Sequence, residues 1–260
     1  MGVLDRFSLH NKIALVTGGA GPQFGHSISE GLAEAGATVI VASRSLSKCE
    51  EFAAGLRAKG FDAQATSVDI TDVASIRRLH DELIGRFGRL DILVNSAVAI
   101  QNGSFEQQTA ENWGYSAAGD MIGLMAACQA FIPDMVAQGR GSIINISSIY
   151  GVVANDPTLY EETTMKQPAD YTFVKAGMIN FTRYLANYYG KRGVRANCIS
   201  PGGFFNNQPE PFVRRYCHRV PIGRMLNSED IKGAVVYLAS DASEYVTGVN
   251  LLVDGGWTAL

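Results

Sequence analysis

Ile13-Ala14-Leu15-Val16-Thr17-Gly18-Gly19-Ala20-Gly21-Pro22-Gln23-Phe24-Gly25 is the stretch on which the fold turns. A short apolar run leads straight into a glycine cluster and then into a helical pattern near residue 26. A run this short and this continuously apolar suits a strand buried on both faces of a parallel sheet. Glycines after such a strand let the backbone turn tightly and approach a pyrophosphate, and free amides at the helix start supply positive potential. A glycine cluster alone is weak evidence. Its place between the first strand and the first helix gives it weight.

The same rhythm continues outward. Further strands are expected at 38–42, 63–67, 91–95, 142–147, 194–199 and 250–253, rich in Val, Ile, Leu and Ala. Between them, helical patterns cover 26–36, 46–60, 72–87, 110–138, 170–191 and 228–240. Asn227 or Ser228 is expected to cap the last helix, with Glu229 and Asp230 in its first turn. Alternation of this kind implies right-handed crossovers: an α/β fold with a Rossmann-type, doubly wound parallel sheet and helices on both faces. No linker or repeat divides the chain, so residues 1–260 read as one domain.

Composition narrows the function. The chain has 260 residues, 47% of them hydrophobic and 18% charged, enough to bury a full core. A net charge of −3 argues against a nucleic-acid partner. No uninterrupted apolar run is long enough to predict a membrane helix, and the N-terminus has no signal-peptide pattern. Cys49, Cys128, Cys198 and Cys217 lie far apart, which predicts neither disulfides nor a metal site and suits the cytoplasm.

The second strand ends Ala42-Ser43-Arg44, with no acid where a ribose hydroxyl would be bound. Ser43 and Arg44 suit a 2′-phosphate instead, which favours NADP over NAD. Asp69 and Ile70 follow the third strand and could flank an adenine, or Asp69 could cap the helix beginning near Asp72. Tyr171 and Lys175 are spaced i, i+4 at a helix start, so they share a face. A lysine beside a tyrosine favours the phenolate, bringing a group with a pKa of about 10 closer to working pH. Ser148 follows the fifth strand and could bond the same substrate oxygen.

These residues together resemble the short-chain dehydrogenase/reductase family along nearly the whole chain. The resemblance rests on Thr17-Gly18-Gly19-Ala20-Gly21, Asp69, Asn95-Ser96-Ala97, Ser148, Tyr171, Lys175, Pro201-Gly202 and Asp254-Gly255-Gly256. It implies Tyr171 as proton donor or acceptor and Ser148 as oxygen stabiliser. Lys175 would hold the ribose and tune the tyrosine. Gly18, Gly21, Phe24, Gly25, Asn95, Ala97, Pro201, Gly202, Phe204 and Asn206 would line the cofactor. A homotetramer, or a dimer, with helix-pair interfaces is implied as well. The expected activity is NAD(P)-dependent interconversion of a secondary alcohol and a ketone.

Three departures stand out. Pro22-Gln23-Phe24 lengthens the glycine turn by one residue, as in divergent enoyl reductases, whose tyrosine–lysine spacing is longer than the Y-x-x-x-K found here. Asn206 stands where the family has a nicotinamide-contacting threonine. Asp120 stands where the fourth catalytic residue, an asparagine, is expected, and a carboxylate there would shift neighbouring proton affinities.

Two further segments bear on the substrate, a small molecule. The loop 155–170 carries Asn155, Asp156, Tyr160, Glu161, Glu162, Thr163, Thr164 and Lys166, which suits a sugar or sugar acid, or else subunit contacts. Residues 203–225 are a lid by resemblance, with Arg214, Arg215, His218 and Arg219 either on a solvated helix face or binding an anion. The competing readings are a catalytically weak NADP(H) sensor and a reductase of 3-oxoacyl or other non-sugar ketones.

Overall fold

The computed structural model describes residues 2–101, 103–166 and 168–259. Seven parallel strands form one sheet: β1 (Ile13–Thr17), β2 (Thr38–Ser43), β3 (Ala63–Ser67), β4 (Ile92–Asn95), β5 (Gly141–Ile146), β6 (Val194–Pro201) and β7 (Asn250–Val253). Their order is β3-β2-β1-β4-β5-β6-β7. The chain first winds outward from β1 to β3, then returns to place β4 on the other side of β1. That reversal opens a crevice at the carboxyl ends of β1 and β4, where open α/β sheets bind ligands.

Helices α1 (Phe24–Glu34), α2 (Leu46–Ala58), α3 (Val73–Phe87), α4 (Ala110–Ser116), α5 (Leu124–Ala137), α6 (Ala169–Tyr189), α7 (Glu210–Arg219) and α8 (Lys232–Ala239) complete the chain. Central-strand residues Leu15, Val16, Val39, Val41, Leu93 and Val94 are fully buried. Alternate strand residues feed two cores. Val16, Val41 and Val94 pack with Ile28, Leu32 and Val235 on one face; Leu15, Ile40 and Leu93 pack with Ile76, Leu79 and Phe131 on the other. Each such side chain contributes roughly 1.5–3 kcal/mol of burial.

Several expectations need correction. The helix expected over 110–138 has a widened π-helical turn, Ala117–Gly123, between α4 and α5. Two glycines permit it: a Cβ at Gly119 would lie 2.3 Å from the Ala99 Cβ, and one at Gly123 would lie 2.0 Å from the Ile70 carbonyl. The stretch Ala110–Ala137 is long and apolar enough, by composition, to cross a membrane, contrary to the sequence reading. Half of its most apolar window is buried inside this fold, including Phe131, Ile132 and Met135 in one core.

The last helix starts at Lys232 rather than 228, and no side chain caps it. Asn227 instead accepts the Glu229 amide and Asp230 accepts the Asn227 amide, closing a separate turn. Asp72, not Asp69, caps α3, accepting the Ala74 amide at 2.8 Å. The lid contains a helix, α7, that strand–helix alternation did not call for.

Candidate active site

Thr17 ends β1, and its hydroxyl accepts the amides of Ser96 and Ala97 at 3.2 and 3.3 Å, drawing the β4 loop over the crevice. Gly18 then turns the chain at φ +69°, where a Cβ would lie 2.8 Å from the Ala97 Cα. A Cβ on Gly25 would lie 2.0 Å from the Gly18 carbonyl. Both positions demand glycine. The turn therefore closes into a tight cradle, with the Gly21 carbonyl accepting the His26 amide at 2.8 Å as α1 begins.

Around this cradle the cofactor candidates fall into three groups. Arg44 is exposed and makes its one hydrogen bond among the described residues to the Tyr115 hydroxyl at 3.0 Å. Ser43 is turned inward, its hydroxyl 3.0 Å from the Cys49 sulfur. Thr71 donates both its amide and its hydroxyl to Asp69, which holds that carboxyl below the usual carboxylate range. Ile70 and Ala97 line a small enclosed space beside Asp120. The Asn95 side chain is committed across the sheet, donating to Asn145 at 2.9 Å, so it buttresses the crevice rather than reaching into it.

The catalytic candidates converge. Beyond β5, Ser148 is extended and nearly buried, and its hydroxyl accepts the Tyr150 amide at 3.1 Å. The Ser147 hydroxyl donates to the Lys175 carbonyl at 2.8 Å, clamping this strand end on α6. Ser148 and Tyr171 line the same cavity of about 250 Å³, together with Phe24, Pro201, Gly202 and Phe204. The Phe24 and Phe204 rings meet edge to face at 5.3 Å, bringing the glycine turn and the lid together. Asn206, by contrast, is exposed and outside the cavity lining; Gln208 takes its place, accepting the Asn206 amide and bonding the Phe204 carbonyl.

Lys175 is fully buried. Its ammonium donates to the Ile146 carbonyl at 2.9 Å and lies 5.6 Å from the centroid of the Tyr171 ring. It also lies 3.7 Å from one Asp120 oxygen, itself buried. The other Asp120 oxygen accepts the Ala99 amide at 2.7 Å. Burial pushes the Asp120 carboxyl up, Lys175 opposes that shift, and Asp170 adds to it. The π-helical turn is what carries this carboxylate into contact with the β4 loop and with α6.

Sequence reasoning missed Asp170. It is fully buried at the start of α6, accepts from Gln108 at 2.5 Å and from the Ser116 hydroxyl, and receives the Tyr171 amide at 3.0 Å. Gln108 also accepts the Ala169 amide. The network pins the turn that presents Tyr171. An acid in a first helical turn is so ordinary that the sequence offers no signal for it.

The loop 155–170 and the lid are tied to each other. Arg215 donates to the Glu161 carbonyl and pairs with Glu162 at 2.8 Å, and Arg219 pairs with Asp156. Arg214 pairs with Glu210 on its own helix. Of the loop residues named from the sequence, Tyr160 lines the cavity, joined by Met165. The Asp156 and Glu162 carboxylates face Arg219 and Arg215 instead.

A reversing parallel sheet with a serine, a tyrosine and a buried lysine at its strand ends defines the class of Rossmann-type oxidoreductases. Residues 19–258 match the family described as Enoyl-(Acyl carrier protein) reductase. The chain is 34% identical over 254 residues to the 2,5-dichloro-2,5-cyclohexadiene-1,4-diol dehydrogenase of Sphingobium indicum, covering 96% of this chain and 97% of that one. It is 32% identical to the NADP-dependent mannitol dehydrogenase of Hypocrea jecorina, covering 98% and 96%. A gluconate 5-dehydrogenase from Burkholderia cenocepacia, solved in complex with NADP and tartrate, superposes over 100% of both chains with a TM-score of 0.90 at 31% identity. The chain belongs to the short-chain dehydrogenase/reductase family and is an oxidoreductase.

Proposed function

We propose that the protein interconverts a secondary alcohol and a ketone with NADP, or less readily NAD, as its redox partner. One observation carries the reading: Ser148 and Tyr171 line a single cavity, with the Lys175 ammonium 5.6 Å from the Tyr171 ring. The glycine cradle fits a dinucleotide, because Cβ atoms on Gly18 and Gly25 would close the space against backbone. Gly18, Gly21, Phe24 and Gly25 would hold the phosphates, Arg44 the adenosine ribose with its phosphate, and Asp69 and Ile70 the adenine. Ala97, Pro201, Gly202 and Phe204 would border the nicotinamide. When bound, the nicotinamide supplies or accepts the hydride.

The chain's own residues handle the proton. The Tyr171 hydroxyl gives a proton to the substrate oxygen in reduction, and in oxidation its phenolate oxygen takes the proton of the alcohol. Ser148 donates a hydrogen bond to the same oxygen. The Lys175 charge stabilises the negative charge that develops on the Tyr171 oxygen. The test is turnover followed by the absorbance of the reduced cofactor, across a panel of secondary alcohols. Silence from a protein that binds NADPH would favour a sensor instead.

Arg44 underlies the NADP preference, since its side chain is exposed and its hydrogen bond among the described residues goes to the neutral Tyr115 hydroxyl, with Asp69 near enough to feel its charge. Arg44→Ala should lower the NADP-over-NAD ratio of kcat/KM about tenfold, the value of one charge-assisted phosphate contact. An unchanged ratio would assign the 2′-phosphate elsewhere. The names of the mannitol and gluconate relatives support a sugar-like substrate; that of the cyclohexadiene-diol relative supports a ring.

We also propose a homotetramer in a reducing compartment, resting on apolar surface of α5, α6 and the π-helical turn. Phe173 is 61% exposed and Tyr188 55%, and Tyr184 stacks on Tyr188 at 4.2 Å. With Met121 and Ile122 they leave an apolar patch of the kind partner subunits cover. Sedimentation at micromolar concentration should give a tetramer; a stable monomer would overturn the proposal.

A further inference from the structure

We propose that the substrate is an uncharged, ring-shaped secondary alcohol or its ketone, and that the cavity itself rejects open-chain sugar acids. This rests on the reading of Tyr171 as the proton-transferring group. Three observations carry it.

The first is charge. No Lys, Arg, His, Asp or Glu lines the cavity among the described residues. The nearby cations are committed elsewhere. Lys175 is held by the Ile146 carbonyl and Asp120, and Arg215 by Glu161 and Glu162. Arg219 is held by Asp156 and lies over the Trp257 ring at 4.7 Å. A carboxylate entering such a site loses water and meets no cationic side chain.

The second is the nature of the polar groups that remain. The Tyr150 and Tyr160 hydroxyls lie 3.1 Å apart, and burial pushes both phenols above their ordinary value. Tyr216 is pushed up to about 12 and accepts the Gly203 amide. These are neutral hydroxyls at working pH. They can exchange hydrogen bonds with one or two substrate hydroxyls but cannot neutralise an anion.

The third is shape. The remaining wall includes Ile149, Met165, Phe204, Phe212 and Met225, with the amides of Gln23 and Gln208 at its edge; Gln208 is already bonded to the Asn206 amide and the Phe204 carbonyl. Phe212 packs between Tyr160 at 5.3 Å and Tyr216 at 5.9 Å, making a continuous aromatic surface. Such a wall matches the face of a ring. An open-chain polyol would set hydroxyls against this aromatic face without partners.

The test compares cyclohexanol and indanol with gluconate and mannitol on the NADP-saturated protein, by turnover and by thermal stabilisation. Cyclic alcohols should have kcat/KM at least ~100-fold above the open-chain compounds. Gluconate or mannitol turned over as well as the rings would overturn the inference. Should nothing turn over, the binding arm separates the two failures. Stabilisation by indanol and not by gluconate upholds the ligand class while defeating the dehydrogenase reading. Stabilisation by gluconate, or by none of the four, defeats the ligand class.

Discussion

Tyr171→Phe is expected to lower kcat/KM by at least ~10³-fold while leaving the dissociation constant for NADPH within about twofold, general acid–base catalysis contributing typically 10²–10⁴. The substitution removes one oxygen and little else. Tyr171 packs partly against the Tyr150, Leu159 and Phe212 cluster, and a phenyl ring retains those contacts. The Lys175 ammonium keeps a ring face at 5.6 Å. Folding and cofactor binding should therefore survive, which isolates the proton. Ser148→Ala should cost less, about 10²-fold, because it removes one hydrogen bond to the substrate oxygen and not the proton itself. Residual Tyr171→Phe activity within tenfold of wild type would mean another group moves the proton. Equal losses in kcat/KM and in NADPH affinity would mean that the ring positions the cofactor instead.

The elements that the sequence makes legible are those whose signal is local. β1 and β7 run over 13–17 and 250–253, as expected, because each is a short apolar run ended by Gly18 or Asp254, and β3 runs over 63–67, as expected, although Gln64, Thr66 and Ser67 make it mixed. Ser148, Tyr171, Lys175 and the glycine turn are legible because fixed spacings on one strand end and one helix face bring them together. Elsewhere the deciding contacts come from far along the chain. The π-helical turn depends on Gly119 and Gly123 meeting Ala99 and Ile70, which sequence periodicity cannot register. The polar loop 155–170 suggested a polar substrate because composition reports what a segment contains, not which way it faces. Its Asp156 and Glu162 meet Arg219 and Arg215 on α7, and its Tyr160 and Met165 turn inward. Asn206 failed for a similar reason: Asn207 adopts φ +54°, and that turn leaves Gln208 facing the cavity.

Asp120 offers the sharpest test of how this chain departs from its family. Asp120→Asn should preserve the backbone and the bond accepted from the Ala99 amide, removing only the charge beside Lys175. Burial holds the Asp120 carboxyl above its ordinary value, with Asp170 reinforcing the shift and Lys175 opposing it. A raised carboxyl favours the folded state while protonated. That contribution is present below the ordinary carboxylate range and is lost as pH rises through the folded value. Asparagine does not titrate there, so the Tm of the variant should gain on wild type as pH rises from the ordinary carboxylate range to the raised folded value, and hold level above it. Asp120→Ala should be destabilised at every pH, by about 1–3 kcal/mol, because the buried Ala99 amide loses its acceptor. Catalysis supplies the second readout. Once ionised, Asp120 offsets part of the Lys175 field at the Tyr171 oxygen. Removing that charge should raise kcat/KM roughly three- to tenfold at pH values where Asp120 is ionised, and change little at lower pH, where its carboxyl is protonated. A profile for Asp120→Asn that superimposes on wild type, with the Tm trend intact, would confine Asp120 to holding the β4 loop. A flat Tm difference with a displaced profile would place its charge in catalysis and take it out of the stability balance. Both effects together would mean that Asp120 is a buried charge whose proton the fold and the chemistry share.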